Sequence, residues 1–362
     1  MKKVYYLCIF ILLGFSLYAQ ETIGEESMPQ AGWTYIVSLD NTSTYSIPAG
    51  SQTAQSWDYS SLTEAYPKVP TYDSTKFTPY QSDFPSSTLY TKGPAYMYSG
   101  LFGGAPVGQS ALAEGYMFWR VDPTGFWSEG FVAENGPVAY EKIPIMPNEM
   151  IIPLPGVLNA TYSNFSSYQY TFQVNPSDYD TLYVSKTSKT FEYDAWGTLT
   201  TPYGTFNKVV RAHEYRIKAD TVYIKLNGMT VFTLEWSRDT SNIYYYIDKD
   251  TEYPVLTTYA DKNNVVQFTE YYKMKLVSTM GIKEEQTAQL SLYPNPFNNQ
   301  IHFSTDIPES SLLFYNLEGR CVKIVSIENE GMIDVSDMHA GVYICKQYSK
   351  DGRLLQVQKL IK

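Results

Sequence analysis

Histidine and cysteine are nearly missing from this chain, with three of each in 362 residues. His213 is the only histidine ahead of residue 300, so no two- or three-histidine metal site can be assembled in the front of the molecule. Cys8 lies in the first apolar run, and Cys321 and Cys345 lie near the end, which leaves the long middle without a thiol nucleophile. A Ser-His-Asp arrangement would have to use His213 within VVRAHEYRI, where alternation reads as a plain strand histidine. No G-x-S-x-G elbow is present and no phosphate-cradling loop. Gly100, Gly103 and Gly104 in YSGLFGGAPVGQ read as a flexible loop. These gaps give no cofactor motif and no metal motif, and an enzyme is the weaker expectation.

Basic charge is also short. Lys and Arg number 27 against 37 Asp and Glu, for a formal net charge of −10. Nearly all of that acidic excess falls before residue 281, and an acidic surface repels phosphate backbones, so nucleic acid is not an expected partner. Helical periodicity is lacking too: no segment after residue 20 sustains an apolar repeat of 3.6. The one long apolar run is Val4–Leu17, behind Lys2 and Lys3 and ahead of Ala19. It reads as a signal peptide over residues 1–19 and is too short to span a membrane.

What the chain has in abundance is tyrosine, 34 residues of it, in short alternating runs punctuated by Gly, Pro, Asn and Asp. Residues 115–134 read as a hairpin about Asp122-Pro123-Thr124-Gly125. Residues 181–237 read as four or five strands, with turns near Lys186-Ser188, Pro202-Gly204, Lys218-Asp220 and Asn227-Gly228. Three more strands surround Asp248-Glu252 and Asp261-Asn264. Pro144, Pro147, Pro153 and Pro155 argue for an extended crossing loop there, and residues 64–95, with five prolines, for another irregular crossing. The class is all-β, with a front domain (20–280) that is an antiparallel sandwich or a curved half-barrel. A polar stretch at 281–288 reads as a linker, and all six Trp precede it.

Residues 289–362 follow a different rhythm: six or seven short strands in the size of a small immunoglobulin-like β-sandwich. Pro294 and Pro296 fix φ and hold Tyr293 and Asn295 extended, which commits Phe297 to one face of an edge. Four motifs stand in order here: Tyr293-Pro294-Asn295-Pro296-Phe297; Asn316-Leu317-Glu318-Gly319-Arg320-Cys321-Val322; Asp334-Val335-Ser336 with Ala340-Gly341-Val342-Tyr343; and a closing Lys359. Together they resemble the type A C-terminal sorting domain of type IX secretion. The resemblance implies export through the periplasm, recognition by the type IX machinery of the outer membrane, and a passenger that is secreted or kept at the cell surface. Attachment to surface lipopolysaccharide after removal of the sorting domain is part of what it implies. Cys321 and Cys345 depart from the family pattern; they are either a disulfide or two small residues on separate strands.

Further forward, Gln55-Ser56-Trp57-Asp58-Tyr59-Ser60-Ser61-Leu62 resembles a W-D-[FY]-S element of uncharacterised passengers that carry such domains. The run Gly197–Phe206 with Val209-Val210-Arg211 is similar to a second element of the same group. Asp248-x-Asp250-x-Glu252 spaces carboxylates as some calcium loops do, but Tyr253 stands where the EF-hand needs glycine, so a solvated turn is the simpler reading. Tyr244-Tyr245-Tyr246 and Tyr271-Tyr272 place aromatic rings on both faces of their strands, and one ring of each set is a candidate for an outward sugar-stacking position. Asp73-Ser74-Thr75, Asp180-Thr181-Leu182 and Asp220-Thr221-Val222 are similar to a periplasmic O-glycosylation pattern. For the passenger the sequence favours a non-catalytic binding or adhesion module with a glycan ligand. An extracellular hydrolase of polysaccharide or another polymer, or a structural envelope component, is the alternative.

Overall fold

A computed structural model describes residues 21–94, 114–133, 140–175, 179–277, 290–317, 321–350, 352 and 354–362. The expected signal peptide (1–19), the glycine loop at 100–104, the linker at 281–288, and Gly319 and Arg320 lie outside these.

The described residues are all-β. The front carries strands β1 (Trp33–Asp40), β2 (Gln55–Asp58), β3 (Tyr66–Lys68), β4 (Thr71–Ser74), β5 (Leu89–Pro94), β6 (Glu114–Asp122) and β7 (Gly125–Ala133). They are followed by β8 (Lys142–Pro153), β9 (Thr161–Asn175), β10 (Tyr179–Thr201), β11 (Gly204–Leu226), β12 (Met229–Asp248), β13 (Pro254–Asp261) and β14 (Val266–Val277). All belong to one sheet. Its main path is β2-β10-β11-β12-β13-β14-β1-β4-β5-β6-β7-β8, with β3 paired to β1 and β9 to β10.

Hairpin chemistry sets much of this order. Asn227, with φ 49°, and Gly228, with φ 79°, make the two-residue turn between β11 and β12. The turn at Asp122–Gly125 joins β6 and β7 as expected, with the Asp122 carboxylate accepting the Thr124 N–H at 2.8 Å. The turns expected near Lys186-Ser188 and Lys218-Asp220 do not form. Residues 179–201 and 204–226 each run as one strand of 23 residues, paired through those positions. Lys186 stands opposite Ala219 and Lys218 opposite Thr187, so a polar cluster without Gly or Pro stays within the ladder.

The sheet curls until its two ends meet. One apolar cluster takes Tyr35 and Val37 from β1, Met117 and Trp119 from β6, Ile143 and Ile152 from β8, Phe191 and Tyr193 from β10, and Ile243 and Tyr245 from β12. A core shared by strands from both ends of the path requires a curved, barrel-like wall, in line with the half-barrel expected. The proline-rich 142–153 segment is not a crossing loop but β8, the last strand of the path, paired only to β7. Proline lacks the N–H that a second neighbour would need. The open side of β8 is met by side chains instead. Asn164 of β9 accepts the Met150 N–H and donates to the Asn148 carbonyl, both at 3.1 Å. Lys189 donates to the Met150 carbonyl at 2.9 Å and the Tyr193 hydroxyl to the Pro153 carbonyl at 2.6 Å. The 64–95 crossing likewise contains β3, β4 and β5, short strands rather than pure loop.

The outer wall is covered in patches. Tyr45, Trp57, Tyr59 and Leu62 lie over Tyr244, Tyr246, Leu256 and Tyr271. Phe84, with Tyr80 beside it, covers Phe118 and Val132, its ring 4.1 Å from that of Phe118. With cores on both faces, Tyr244, Tyr245, Tyr246 and Tyr271 are all buried and Tyr272 is partly buried. None is the outward sugar platform expected from the sequence.

The remaining strands form two small sheets: β15 (Leu290–Tyr293), β16 (Gln300–Thr305) and β19 (Glu330–Asp334) in one; β17 (Ser310–Tyr315), β18 (Cys321–Ile327), β20 (Val342–Tyr348) and β21 (Leu354–Ile361) in the other. They enclose an apolar core of Leu292, Phe297, Ile301, Phe303, Leu312, Phe314, Ile333, Val335 and Leu360, a β-sandwich. Cys321 and Cys345 are not bridged. They flank β17 on opposite sides, opposite Tyr315 and Phe314, so two strand spacings of about 4.8 Å separate them, beyond disulfide reach.

Candidate functional site

Two places concentrate chemistry. The first is the end of the small sandwich where the expected sorting motif gathers. The Asn295 side chain donates to the Lys359 carbonyl at 3.0 Å and accepts the Ile361 N–H at 2.9 Å, tying the chain between Pro294 and Pro296 to the last strand. Phe297 is fully buried, and its N–H donates to the Ile361 carbonyl at 2.8 Å. Gly341 exchanges backbone hydrogen bonds with Lys362. Tyr343 is buried with its ring 6.2 Å from Phe297, and its hydroxyl donates to the His339 carbonyl at 2.6 Å. Tyr293 is exposed and stacks on His302. The Tyr293-Pro294 and Asn295-Pro296 peptides are both cis. Of the expected residues, Pro294 to Phe297, Gly341, Tyr343 and the Lys359 backbone therefore meet at one end, while the Lys359 side chain is exposed. Sequence reading missed Lys362, whose ammonium donates to the carbonyls of Val335 at 2.7 Å and Met338 at 2.6 Å and so closes the Val335–Met338 turn. A terminal lysine carries no signal of that role.

The second place is inside the curled sheet. On β11 the residues that follow Val210 and Ala212 on the inner face are Glu214, Arg216, Lys218 and Asp220, all buried. A strand alternates its faces, so a run of alternating inward charges needs buried partners close by. They are present. Lys189 of β10 lies 2.7 Å from Glu149 and 3.4 Å from Glu214, and Arg216 lies 2.5 Å from Glu214. The Tyr245 hydroxyl donates to Glu214 at 3.0 Å. Burial pushes the Glu214 carboxyl up, but Arg216 and Lys189 outweigh it and hold the group below its ordinary value. Burial, with Glu214 beside it, raises the Tyr245 hydroxyl well above its ordinary range.

Beside this network a cavity of about 130 Å³ opens, with walls from β3 to β8 and β11 to β14. Its charged lining is Lys68 paired with Glu270, Arg216 held by Glu214, and Glu149 held by Lys189. Its aromatic lining includes Tyr72, Trp119, Phe126, Tyr245, Tyr253 and Tyr259. The Tyr253 and Tyr259 hydroxyls have no hydrogen-bond partner among the described residues. Burial raises both well above the usual phenol range, so they stay protonated and can donate. No sequence spacing announces this site, because its members come from ten strands and lie between residues 29 and 270.

The other sequence candidates do not join it. His213 stacks on Tyr244 with ring centroids 4.4 Å apart, and its Nε2 lies 2.8 Å from Asn242 Oδ1, the plain strand histidine expected. Asp248 accepts the Asp250 N–H, and Glu252 pairs with Lys275 at 3.1 Å, so the Asp248 carboxylate is spent on a turn and that of Glu252 on an ion pair. Among the described residues no group of three or more His, Cys, Asp and Glu is placed to hold a metal ion. Thr181 is buried, which takes that O-glycosylation position out of reach of a modifying enzyme.

The two family-like elements do meet. β2, bearing Trp57 and Asp58, pairs in parallel with Gly197–Thr200 of β10. Gly197, at φ 156°, has the Gln55 backbone so close that any Cβ would collide with it. Arg211 locks the joint: it forms a bidentate pair with Asp194 at 2.8 Å, donates to the Pro48 carbonyl at 2.9 Å, and stacks over Tyr244 at 5.2 Å.

Comparison with known proteins decides the nature of the last strands. Residues 291–362 match the family model of the secretion system C-terminal sorting domain. The chain therefore carries the tail of type IX export, which directs it to secretion or the cell surface and implies contact with the type IX machinery. No helix among the described residues is long and apolar enough to cross a membrane. Comparison with curated proteins gave no match. Among solved structures, a candidate lipoprotein from Parabacteroides distasonis is similar at 11% identity over 71% of this chain and 100% of that one, with a TM-score of 0.27. PorZ, a surface component of the type IX secretion system of Porphyromonas gingivalis, is similar at 7% identity over 68% of this chain and 43% of that one, with a TM-score of 0.19. Neither score supports an argument about fold or activity.

Proposed function

We propose that the chain is a two-part exported protein: a passenger over residues 20–280 that binds a ligand without catalysis, and an immunoglobulin-like sorting tail over 289–362 joined by a linker at 281–288. The end of the tail formed by Asn295, Phe297, Gly341, Tyr343 and the Lys359 backbone is the surface offered to the machinery, with surface lipopolysaccharide as the anchor for a retained product. The passenger's ligand site is the cavity between β8 and β13, and its ligand is a ring-sized polyol such as the terminal unit of a glycan.

The observation that carries this reading is the pair of tyrosine hydroxyls, Tyr253 and Tyr259, without partners in a cavity lined by aromatic faces. A cavity of similar measure, about 150 Å³, accepts one benzene-sized molecule. Sugars want flat aromatic surface with a few fixed hydrogen-bonding groups around it, and this lining supplies both. Each carboxylate on the wall already holds a cation, an arrangement suited to binding and unlike the separated acid and base that glycoside hydrolysis requires.

Calorimetric titration of the full chain with a panel of monosaccharides and short glycans tests this. A saturable heat is expected for at least one sugar, weakened about five- to tenfold by Tyr259→Phe or Tyr253→Phe, the value of one hydrogen bond. Silence across the panel, or binding that both substitutions leave unchanged, overturns it.

A further inference from the structure

The sorting tail makes a second hydrophobic interface that its own sandwich does not need. Leu312 and Phe314 of β17 point into the sandwich core, whereas Leu313 between them is fully buried in a different cluster. That cluster joins Leu313 and Tyr348 to Ile36 of β1 and Leu276 of β14, with Met274, Tyr315 and Cys321 packed at its margin. In β1, Tyr35 and Val37 face the lumen, so Ile36 lies on the outer wall. The tip of the β20–β21 hairpin reaches the same wall: Gly352 sits so close to the Lys275 carbonyl that any side chain would collide with it. Strand β18 also lies against β3.

The passenger half of this surface is built from the two ends of the passenger. Ile36 and Leu276 become neighbours only when β1 and β14 pair, since Ile36 stands opposite Met274 and Thr34 opposite Leu276. Before that pairing no contiguous apolar patch exists for the tail to cover. We propose that the tail docks in cis on the β1–β14 ladder of its own passenger, and that this docking senses the pairing of the passenger's first and last strands. The outer faces of β17 and β20 are then covered on a passenger whose β1–β14 ladder has formed and bare on one whose ladder has not. An export apparatus that meets the tail would meet two distinguishable surfaces. This inference stands apart from the ligand reading, because it uses no residue of the cavity.

The protein carries its own reporters. Cys321 is at the docking interface, while Cys345 is fully buried in the sandwich core. Burial raises both thiols to about 12, so both react slowly while covered. Alkylation of the full-length protein, mapped by mass spectrometry, follows each site. Leu313→Asp and Gly352→Val are each expected to speed Cys321 at least about tenfold and leave Cys345 at its native rate. In the unsubstituted protein under rising urea, Cys321 is expected to open together with amide exchange in residues 33–40 and 266–277, ahead of Cys345. Cys321 unchanged in both variants overturns the docking. Cys345 rising in step with it in both also overturns it, since that is unfolding of the tail. In the unsubstituted protein, exposure of Cys321 while the β1 and β14 amides stay protected overturns the sensing. If Leu313→Asp alone unfolds the tail, Gly352→Val decides, because it touches neither core.

Discussion

The lumen of the curled sheet and the interior of the tail are built from different materials. In the lumen, Glu149, Lys189, Glu214, Arg216, Lys218 and Asp220 are buried. In the tail the buried polar side chains among the described residues are Thr305, Ser310, Ser311, Gln347 and Ser349, with no charge among them. An apolar interior gains stability from area removed from water and is insensitive to pH. An ionic interior must satisfy every charge, gains little net stability from doing so, and loses much when one member is removed. The tail is thus a sturdy generic package, whereas the passenger interior depends on one particular arrangement.

The contrast is broken most severely at the centre of the ionic network. Glu214→Ala leaves Arg216 and the Tyr245 hydroxyl without their carboxylate, and about 3–5 kcal/mol of stability should be lost. Chemical denaturation followed by tryptophan fluorescence reads the passenger alone, since all six Trp precede residue 281. A loss below about 1 kcal/mol would show that the lumen is looser than described. Phe297→Ala is the matching cut in the tail. It should cost about 3–4 kcal/mol by opening a cavity in a small core. Hydrogen exchange should report the loss in β15 to β21, and the tryptophan transition should stay in place; movement of both would mean that the tail props up the passenger.

Acid sharpens the comparison more gently. Glu214 is held below its ordinary 4.5 in the folded state. Its contribution is therefore fully present above that value and is lost as pH falls through the lower folded value. Between pH 5 and pH 3 the tryptophan-reported melting temperature should fall while exchange in the tail core changes little. Equal losses in both regions would remove the distinction.

Much of this was written in the sequence, and what was not has physical reasons. The hairpins at Asp122–Gly125 and Asn227-Gly228 were legible because turn chemistry is local. The tail was legible because four spaced motifs, from Tyr293 to Lys359, describe a whole small unit. The 23-residue strands escape the sequence because Lys186-Ser188 and Lys218-Asp220 look like turns until their pairing with each other on neighbouring strands is known. Prolines 144, 147 and 153 read as a loop because a strand that needs only one ladder has no signature of its own. The tyrosine triplet suggests an outward ring because alternation alone implies one wet face, whereas residues 45–62 cover that face. The cavity is invisible in the sequence, its lining drawn from ten strands.

The junction of β8 with β9 has one more consequence. Elsewhere the wall is stitched by backbone ladders, but here it is fastened by side chains, chiefly Asn164, Lys189 and Tyr193. A few such bonds are worth about 1 kcal/mol each, far less than a full ladder. The cylinder therefore has a placket, a fastened slit that parts before the weave does. Glu149, Ile151 and Ile152 lie on its lip and also line the cavity, so the weakest line in the wall runs past the pocket.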